Sequence, residues 1–284
     1  MKKKAARGKL IIIGGAEHKD GEGAILKEFV RLAGGAKARL VVMTVATNLP
    51  EEVGDEYTKV FRQLGVDEVS VVDVSERQDA SAEDALQLLE RASGVFFTGG
   101  NQLHITSLLG GSPLLELLQE KHEAGLTIAG TSAGAAMMSN SMILRGDADA
   151  PPRCGVVEIG PGLDFVPGSI IDTHFSQRGR FGRLLTAVAH FPQNLGFGID
   201  ENTAMIVDAE ELRVIGEHTI TVFDAGAITY TNLPYLKQDE SLTLHGVVVH
   251  TLGEGHKFDL GKRQPASEAQ GDSRPKRKAK ANKA

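Results

Sequence analysis

The chain has 284 residues, is 41% hydrophobic and carries a net charge of −6. This length favours one large domain over two small ones, and the single cysteine, Cys154, excludes an internal disulfide. The apolar stretch near residue 10 is too short for a signal peptide and no run reaches the length of a membrane span, so we expect a cytoplasmic protein.

Short β-branched runs alternate with segments of helical period over the first two-thirds of the chain. This alternation is typical of a parallel sheet flanked by helices, an α/β fold of three layers. The predicted strands cover residues 9–13, 39–46, 68–74, 94–99 and 126–130. The predicted helices cover Ala24–Leu32 and residues 51–64, with a third helix after a cap at Ser81 and a fourth after Ser112 and Pro113.

After residue 160 the predicted strands become shorter and lie closer together, which indicates antiparallel additions to an edge of the sheet. These strands cover residues 168–172, 195–200, 203–208, 212–216, 219–223 and 242–250. The last segment, residues 261–284, holds eight Lys and Arg against two Asp and Glu and almost no large apolar residue. We therefore expect one domain over residues 1–260 and a basic, disordered tail over 261–284.

The stretch "GTSAGAAMM" at 130–138 places Ser132 in a glycine-bounded turn between a predicted strand and a predicted helix. Such a strand–turn–helix segment is the context of a nucleophile elbow, although a small residue packed in a crowded turn is the alternative. Backbone N–H groups at the start of the helix, beginning with that of Ala133, would face an oxyanion. Gly99 and Gly100, at the end of another predicted strand, are candidates for further donors, and an ordinary Gly-Gly loop is the alternative.

A serine nucleophile requires a base and an acid that orients it. Among nine histidines, His174 lies two residues after a predicted strand, at the edge where Ser132 is expected. Glu201 closes another strand at this edge and is the candidate acid, with Asp172 and Asp200 as rivals. The order Ser, His, acid differs from that of the α/β-hydrolases, which disfavours that fold.

Two further clusters of charged residues have competing interpretations. Arg178, Arg180 and Arg183 follow His174 in an otherwise acidic body, which favours either a carboxylate-rich substrate or a solvated start of a helix. Glu17, His18 and Asp20 resemble part of a metal cluster, but an exposed turn is the preferred interpretation because no other ligand spacing supports a metal site.

Five blocks in this order resemble the cyanophycinases, a family of serine peptidases related to peptidase E. The blocks are "GGAE", "FTGGNQ", "GTSAGA", "DTHFSQRGRFGRL" and "GIDENTA", and the resemblance spans about residues 9–255. It implies a class I glutamine amidotransferase-like fold and a cytoplasmic homodimer. The implied activity is hydrolysis of cyanophycin, a polyaspartate with arginine on each β-carboxyl, to β-Asp-Arg dipeptides.

The resemblance also implies a role for individual residues. Ser132 would be the nucleophile, His174 the general base and Glu201 its orienting acid. The residues that would line the substrate pocket are Gln102, Asp172, Arg178, Arg180, Arg183 and Asn202. Asp172, Gln102 and Asn202 would then bind substrate guanidinium groups, the three arginines would bind carboxylates, and no metal or organic cofactor is expected.

Two other functions fit parts of the sequence. A peptidase E-like aspartyl dipeptidase would share the three catalytic residues but accept small α-linked dipeptides. A noncatalytic protein that binds a polyanion through its basic tail would need none of them. Nucleic acid is not the expected partner, because a solvated charge run accounts for the tail.

Overall fold

A computed structural model describes residues 7–20 and 23–266 of the chain. The α-helices are α1 (Ala24–Leu32), α2 (Pro50–Gln63), α3 (Glu83–Arg91), α4 (Gln102–Leu109), α5 (Pro113–Glu123), α6 (Ala133–Ala136) and α7 (Phe181–His190). The first nine strands are β1 (Leu10–Ile13), β2 (Arg39–Met43), β3 (Glu68–Val72), β4 (Gly94–Phe97), β5 (Thr127–Thr131), β6 (Ser141–Gly146), β7 (Val157–Pro161), β8 (Ser169–Thr173) and β9 (Leu195–Ile199). The others are β10 (Thr203–Asp208), β11 (Glu211–Gly216), β12 (Ile220–Asp224), β13 (Tyr230–Thr231), β14 (Leu244–His245), β15 (Val248–Leu252), β16 (Lys257–Asp259) and β17 (Gln264–Pro265).

The main sheet has nine strands in the order β17-β16-β11-β10-β1-β5-β4-β2-β3. Strands β1 to β5 pair in parallel, and β10, β11, β16 and β17 extend the sheet with antiparallel pairs. The sequence therefore predicted correctly a mostly parallel α/β sheet with antiparallel additions.

Alternating side chains of the parallel strands enter two separate apolar layers, as the period of two in a strand requires. Ile11 and Ile13 of β1 pack with Phe29 of α1 in one layer. Leu10 and Ile12 lie in the other layer, whose members include side chains of α3 and α5. The sheet is thus covered on both faces, which explains why its parallel strands are continuously apolar.

A second sheet of four strands, in the order β15-β12-β9-β8, was not predicted from the sequence. Its strands were expected to extend the edge of the main sheet. Instead, Ile171, Phe197 and Val222 pack into the layer that contains α3 and α5. The opposite face of the second sheet carries Ile170 and packs against Leu184 and Val188 of α7.

The predicted helix boundaries have mixed outcomes. Helix α1 matches its predicted range, and Ser112 caps α5 by accepting the Leu115 N–H at 3.2 Å, with Pro113 at the first helical position. The predicted cap at Ser81 is wrong, because α3 begins at Glu83 after Ala82. Helix α4, which begins inside the "GGNQ" segment, was missed, and Asn101 caps it by accepting the Leu103 N–H.

The segment that was predicted to be a tail begins as part of the fold. Strand β17 pairs with β16, and the Arg263 guanidinium binds the carboxylate of Asp224 with N–O distances of 2.6 and 2.9 Å. Residues 261–266 therefore belong to the folded chain, and residues 267–284 lie outside the described residues. Among the helices of the described residues, none combines the length and apolarity needed to cross a membrane.

Candidate active site

Ser132 lies in a strained turn between β5 and the four-residue helix α6. Its backbone has φ 53° and ψ −110°, a conformation that L-residues rarely adopt. The two glycines around it permit the turn: a Cβ on Gly130 would lie 2.1 Å from the Gly134 oxygen, and one on Gly134 would lie 2.5 Å from the Phe97 oxygen. Both contacts are far below van der Waals distance, so the G-x-S-x-G spacing is a steric requirement here.

The three side chains that the sequence nominated lie in one hydrogen-bonded row. The Ser132 hydroxyl is 2.9 Å from His174 Nε2, and His174 Nδ1 is 2.7 Å from Glu201 Oε1. Because a carboxylate only accepts, Nδ1 carries the ring proton and Nε2 is free to accept the hydroxyl proton. The arrangement suits abstraction of a proton from Ser132.

These three residues come from two different sheets. Ser132 follows β5 of the main sheet, whereas His174 and Glu201 follow β8 and β9, parallel neighbours in the second sheet. The sequence-based expectation of a single sheet edge is therefore wrong in this detail. The row of hydrogen bonds crosses the junction between the sheets.

The loop after β1 joins the segments that carry the row. Three consecutive carbonyls, those of Ile13, Gly14 and Gly15, accept the backbone N–H groups of Ser132, His174 and Asn202 at distances of 2.8 to 3.1 Å. The His174 imidazole lies against Gly15, where a Cβ would approach the ring to 2.3 Å. Gly15 also has φ +101°, so both its conformation and its contact with the ring require glycine.

Glu17 belongs to the same loop and is buried, although the sequence favoured an exposed turn here. Its side chain is only 5% exposed and accepts hydrogen bonds from the hydroxyls of Tyr57 and Thr131. Burial and the nearby Glu17 charge raise the pKa of Tyr57 well above its ordinary value, so Tyr57 stays a donor. Thr131 precedes Ser132, so Glu17 links the β1 loop directly to the serine turn.

The candidate oxyanion donors lie beside Ser132. A Cβ on Gly99 would be 3.4 Å from the Ser132 Cβ, and Gly100 and Ala133 line the same cavity as Ser132. Within residues 7–20 and 23–266, the N–H groups of Gly100 and Ala133 make no backbone hydrogen bond. These N–H groups are therefore available to a developing negative charge.

A cavity of about 290 Å³ opens beside Ser132 and His174. Four arginines line it: Arg145, Arg178, Arg180 and Arg183. Arg145 was not predicted from the sequence, because neither β6 nor β7, the hairpin that carries this residue, was predicted. Such a concentration of guanidinium groups favours an anionic ligand.

The Asp172 carboxylate is bound by protein groups that the sequence did not indicate. Its carboxylate is 2% exposed and accepts from Arg183 Nε at 2.7 Å, Arg183 Nη2, Arg180 Nη1 at 3.3 Å and the Thr173 N–H at 2.9 Å. Its oxygens are thus occupied by protein donors. Asp172 lines the cavity and orients two of its arginines, and its binding to substrate guanidinium groups stays a prediction.

The two amide side chains that were predicted to bind substrate also form hydrogen bonds within the protein. Gln102 Nε2 donates to the carbonyls of Ile143 and Leu144 at 2.9 and 3.1 Å, which leaves the Gln102 oxygen to the cavity that this residue lines. Asn202 Oδ1 accepts the His18 N–H at 3.1 Å, and Asn202 is not among the residues that line the cavity. Asn202 thus lies outside the lining of this cavity, and its contact with substrate stays a prediction.

Burial and charge lower the pKa of two groups in the cavity. Desolvation lowers the pKa of Arg180 to about 10, and Arg183 and Arg178 add to this effect while Asp172 opposes it. Desolvation also lowers the pKa of His174, opposed by its hydrogen bond to Glu201 and reinforced by the charges of Arg178 and Arg180. A lowered pKa keeps the imidazole neutral, and able to accept a proton, to a lower pH.

We expect this shift to appear in the pH dependence of hydrolysis. As pH falls, kcat/KM should decline through a single ionisation below 6.5, the ordinary pKa of histidine, because protonation of His174 removes the base. Initial rates across pH 4.5–8.5 on a soluble substrate measure this decline, the acid limb of the pH profile. In Arg178→Gln, loss of a positive charge near the ring should move the limb to higher pH. A limb above 6.5 in the unmodified protein would contradict this account.

No group of three or more His, Cys, Asp or Glu in the described part of the chain is arranged to hold a metal ion. His18 is half-exposed, with its Nδ1 3.9 Å from a Glu217 oxygen, and does not join Glu17 in a ligand set.

Known proteins are similar to this chain over most of its length. The chain is 37% identical over 261 residues to a cyanophycinase of Trichormus variabilis, covering 91% of this chain and 88% of the relative. It is 36% identical over 265 residues to a cyanophycinase of Geminocystis herdmanii, covering 93% and 97%. A peptidase E of Pasteurella multocida is more distant, at 26% over 175 residues, covering 60% of this chain and 72% of the relative.

A solved structure and a family profile agree with these relatives. The crystal structure of a peptidase from an acI-B1 Actinobacterium has the same fold, with a TM-score of 0.64 at 20% identity, covering 90% of this chain and 98% of that one. Residues 10–215 match peptidase family S51, a range that includes Ser132, His174 and Glu201. On this match and on the extent of the identity with its relatives, the chain belongs to peptidase family S51.

Proposed function

We propose that this chain is a serine peptidase that hydrolyses the polyaspartate backbone of cyanophycin and releases β-Asp-Arg dipeptides. The observation that carries the proposal is the row of Ser132, His174 and Glu201 at the mouth of an arginine-lined cavity. The cyanophycinases that are similar over about nine-tenths of the chain support the choice of substrate.

The proposed mechanism begins with attack of the Ser132 oxygen on a backbone carbonyl between successive aspartates. His174 Nε2 takes the hydroxyl proton as the C–O bond forms, and Glu201 stabilises the resulting imidazolium through Nδ1. The N–H groups of Gly99, Gly100 and Ala133 are the proposed donors to the oxyanion, each contributing about 10²–10³ in rate. In this scheme the strained Ser132 turn acts as a nucleophile elbow.

Collapse of the tetrahedral intermediate breaks the C–N bond. His174 gives its proton to the leaving amine, and the acyl group stays on Ser132 as an ester. A water molecule then attacks this ester, with His174 again accepting the proton, and the Ser132 hydroxyl is regenerated. Atoms and charges balance with water as the only co-substrate.

The charge of the cavity favours the carboxylates of cyanophycin over its guanidinium groups. Both carboxyl groups of each aspartate are in amide bonds, so the free carboxylate of each internal unit belongs to its arginine. Arg178, Arg180 and Arg183 are the proposed partners of such carboxylates. The Gln102 oxygen is the proposed acceptor for a substrate N–H.

We further propose a class I glutamine amidotransferase-like fold, a cytoplasmic homodimer and one peptidase domain that includes residues 261–266. The second candidate function is a peptidase E-like aspartyl dipeptidase, which the more distant identity to a peptidase E favours. Both functions use the same three catalytic residues, so only the substrate distinguishes them.

A product assay separates the two functions. Insoluble cyanophycin and a panel of Asp-X dipeptides are incubated with the purified protein, with Ser132→Ala as the matched control, and the products are analysed by mass spectrometry. We expect β-Asp-Arg from cyanophycin and little free aspartate from the dipeptides. Free aspartate alone would favour the dipeptidase, and no product from either substrate would reject both.

A further inference from the structure

We propose that Arg145 is a specificity-determining residue that binds a second carboxylate of the substrate, one unit away from the unit that is released. This inference rests on the proposed function and deepens it. It predicts that the cavity recognises at least two neighbouring units of the polymer, and therefore favours an oligomer over a single dipeptide.

The hairpin of β6 and β7 is shaped and anchored so that Arg145 reaches the cavity. The pairing register of β6 with β7 shifts between Ile143 and Arg145, and such a bulge redirects the side chains that follow it. Arg145 lies opposite Glu158 in the pairing but forms no ion pair with it, and it lines the cavity instead. Because the Arg145 guanidinium does not pair with the adjacent Glu158 carboxylate, it is available to a carboxylate of a ligand.

The backbone on both sides of Arg145 is bound by other side chains of the cavity. Gln102 donates to the carbonyls of Ile143 and Leu144, before Arg145. Arg183 Nη1 donates to the Gly146 carbonyl at 3.1 Å, directly after it. The position of Arg145 is thus fixed by Gln102 and Arg183, which also line the cavity.

The charges in the cavity leave two guanidinium groups without a counter-ion. Arg180 and Arg183 share the Asp172 carboxylate. Arg145 and Arg178 are exposed, and neither side chain forms an ion pair within the described parts of the chain. The Arg178 N–H donates to the His174 carbonyl at 3.1 Å, so Arg178 lies at the catalytic end, whereas Arg145 enters from the β6–β7 hairpin.

The two unpaired arginines, Arg145 and Arg178, match the carboxylates of two neighbouring units of the substrate. In the proposed substrate, neighbouring units each present the α-carboxylate of an arginine, and a single Asp-X dipeptide has no neighbouring unit. Arg178 would bind a carboxylate at the cleaved unit and Arg145 would bind that of the next unit. Truncation of Arg145 should therefore weaken binding of an oligomer more than it slows the chemical step.

The test uses a synthetic oligomer of three β-Asp-Arg units and a matched oligomer with argininamide on the central unit only. The central unit neighbours the released unit whichever end is attacked. We expect Arg145→Gln to raise KM for the first oligomer about tenfold, with kcat within threefold of the unmodified protein. Arg145→Lys, which keeps the charge, should recover part of this loss. Arg62→Gln, an exposed arginine of α2 outside the cavity, should change nothing.

The amidated oligomer distinguishes direct recognition from an indirect effect. The unmodified protein should bind it about tenfold more weakly, and Arg145→Gln should show no further loss on it. A KM for Arg145→Gln equal to that of the unmodified protein, or an equal loss on amidation in both, would overturn the inference. If the unmodified protein releases no dipeptide from either oligomer, the proposed function itself fails.

Discussion

Ser132→Ala is expected to lower kcat for cyanophycin about 10⁶-fold, as removal of the serine does in other peptidases that use a serine, a histidine and an acid. Among the described residues, the group that hydrogen-bonds to His174 Nε2 is this hydroxyl, at 2.9 Å, and its oxygen forms the acyl bond in the proposed mechanism. Alanine removes this oxygen and keeps the Cβ, so the strained turn and its two glycines are unchanged. The thermal unfolding temperature should therefore stay close to that of the unmodified protein.

The matched control is Ser176→Ala. Ser176 is exposed and lies two residues after His174, but its hydroxyl does not join the row of hydrogen bonds. Its activity should remain within about twofold of the unmodified protein, as for an exposed substitution with little effect on stability. Dipeptide release by Ser132→Ala above about one-thousandth of the normal rate would exclude Ser132 as the nucleophile.

Asp172→Asn is expected to have the largest effect on stability. The carboxylate is buried and forms ion pairs with Arg183 and Arg180, and removal of one partner from a buried ion pair typically costs about 3–5 kcal/mol of unfolding free energy. The amide would also direct donor hydrogens at one of these guanidinium groups. Chemical denaturation followed by circular dichroism measures the loss.

The same substitution should lower activity at least about tenfold, because Asp172 also accepts the N–H of Thr173, next to His174. Asp147→Asn is the matched control, since its partner Arg153 and the carboxylate itself are more exposed. An exposed pair of this kind contributes about 0–1 kcal/mol. Equal stability losses in the two variants would contradict the assigned role of Asp172.

The local elements of the first two-thirds of the chain were predictable because each carries its own signal. Helix α1 has its apolar residues on one face, and Ser112 followed by Pro113 marks the start of α5 by short-range hydrogen bonding and a fixed φ. Helix α4 was missed because its start overlaps "GGNQ", a sequence that equally suits a loop. The hairpin of β6 and β7 was missed as well, and with it Arg145.

The candidate nucleophile, base and acid were also identified from the sequence, because each follows the end of an apolar strand. The protein partners of Asp172 and Asn202 were not, since a side chain's partner depends on what the fold places beside it. Asp172 alternates with Ile171 along β8, so it faces α7 together with Ile170. That face places it against Arg183, which the spacing of the residues in sequence does not reveal.

By itself, the sequence determined the parallel α/β core and the identity of the three side chains in the row, because apolar periodicity and glycine spacing are local properties. Only the tertiary structure decided that two sheets meet at this row and that three carbonyls at the end of β1 hold its segments. It also decided that Asp172 is bound by protein arginines while Arg145 remains open to a ligand. The reason is physical: pairing across 42 to 184 residues depends on which surfaces can be buried together, and no local pattern encodes that choice.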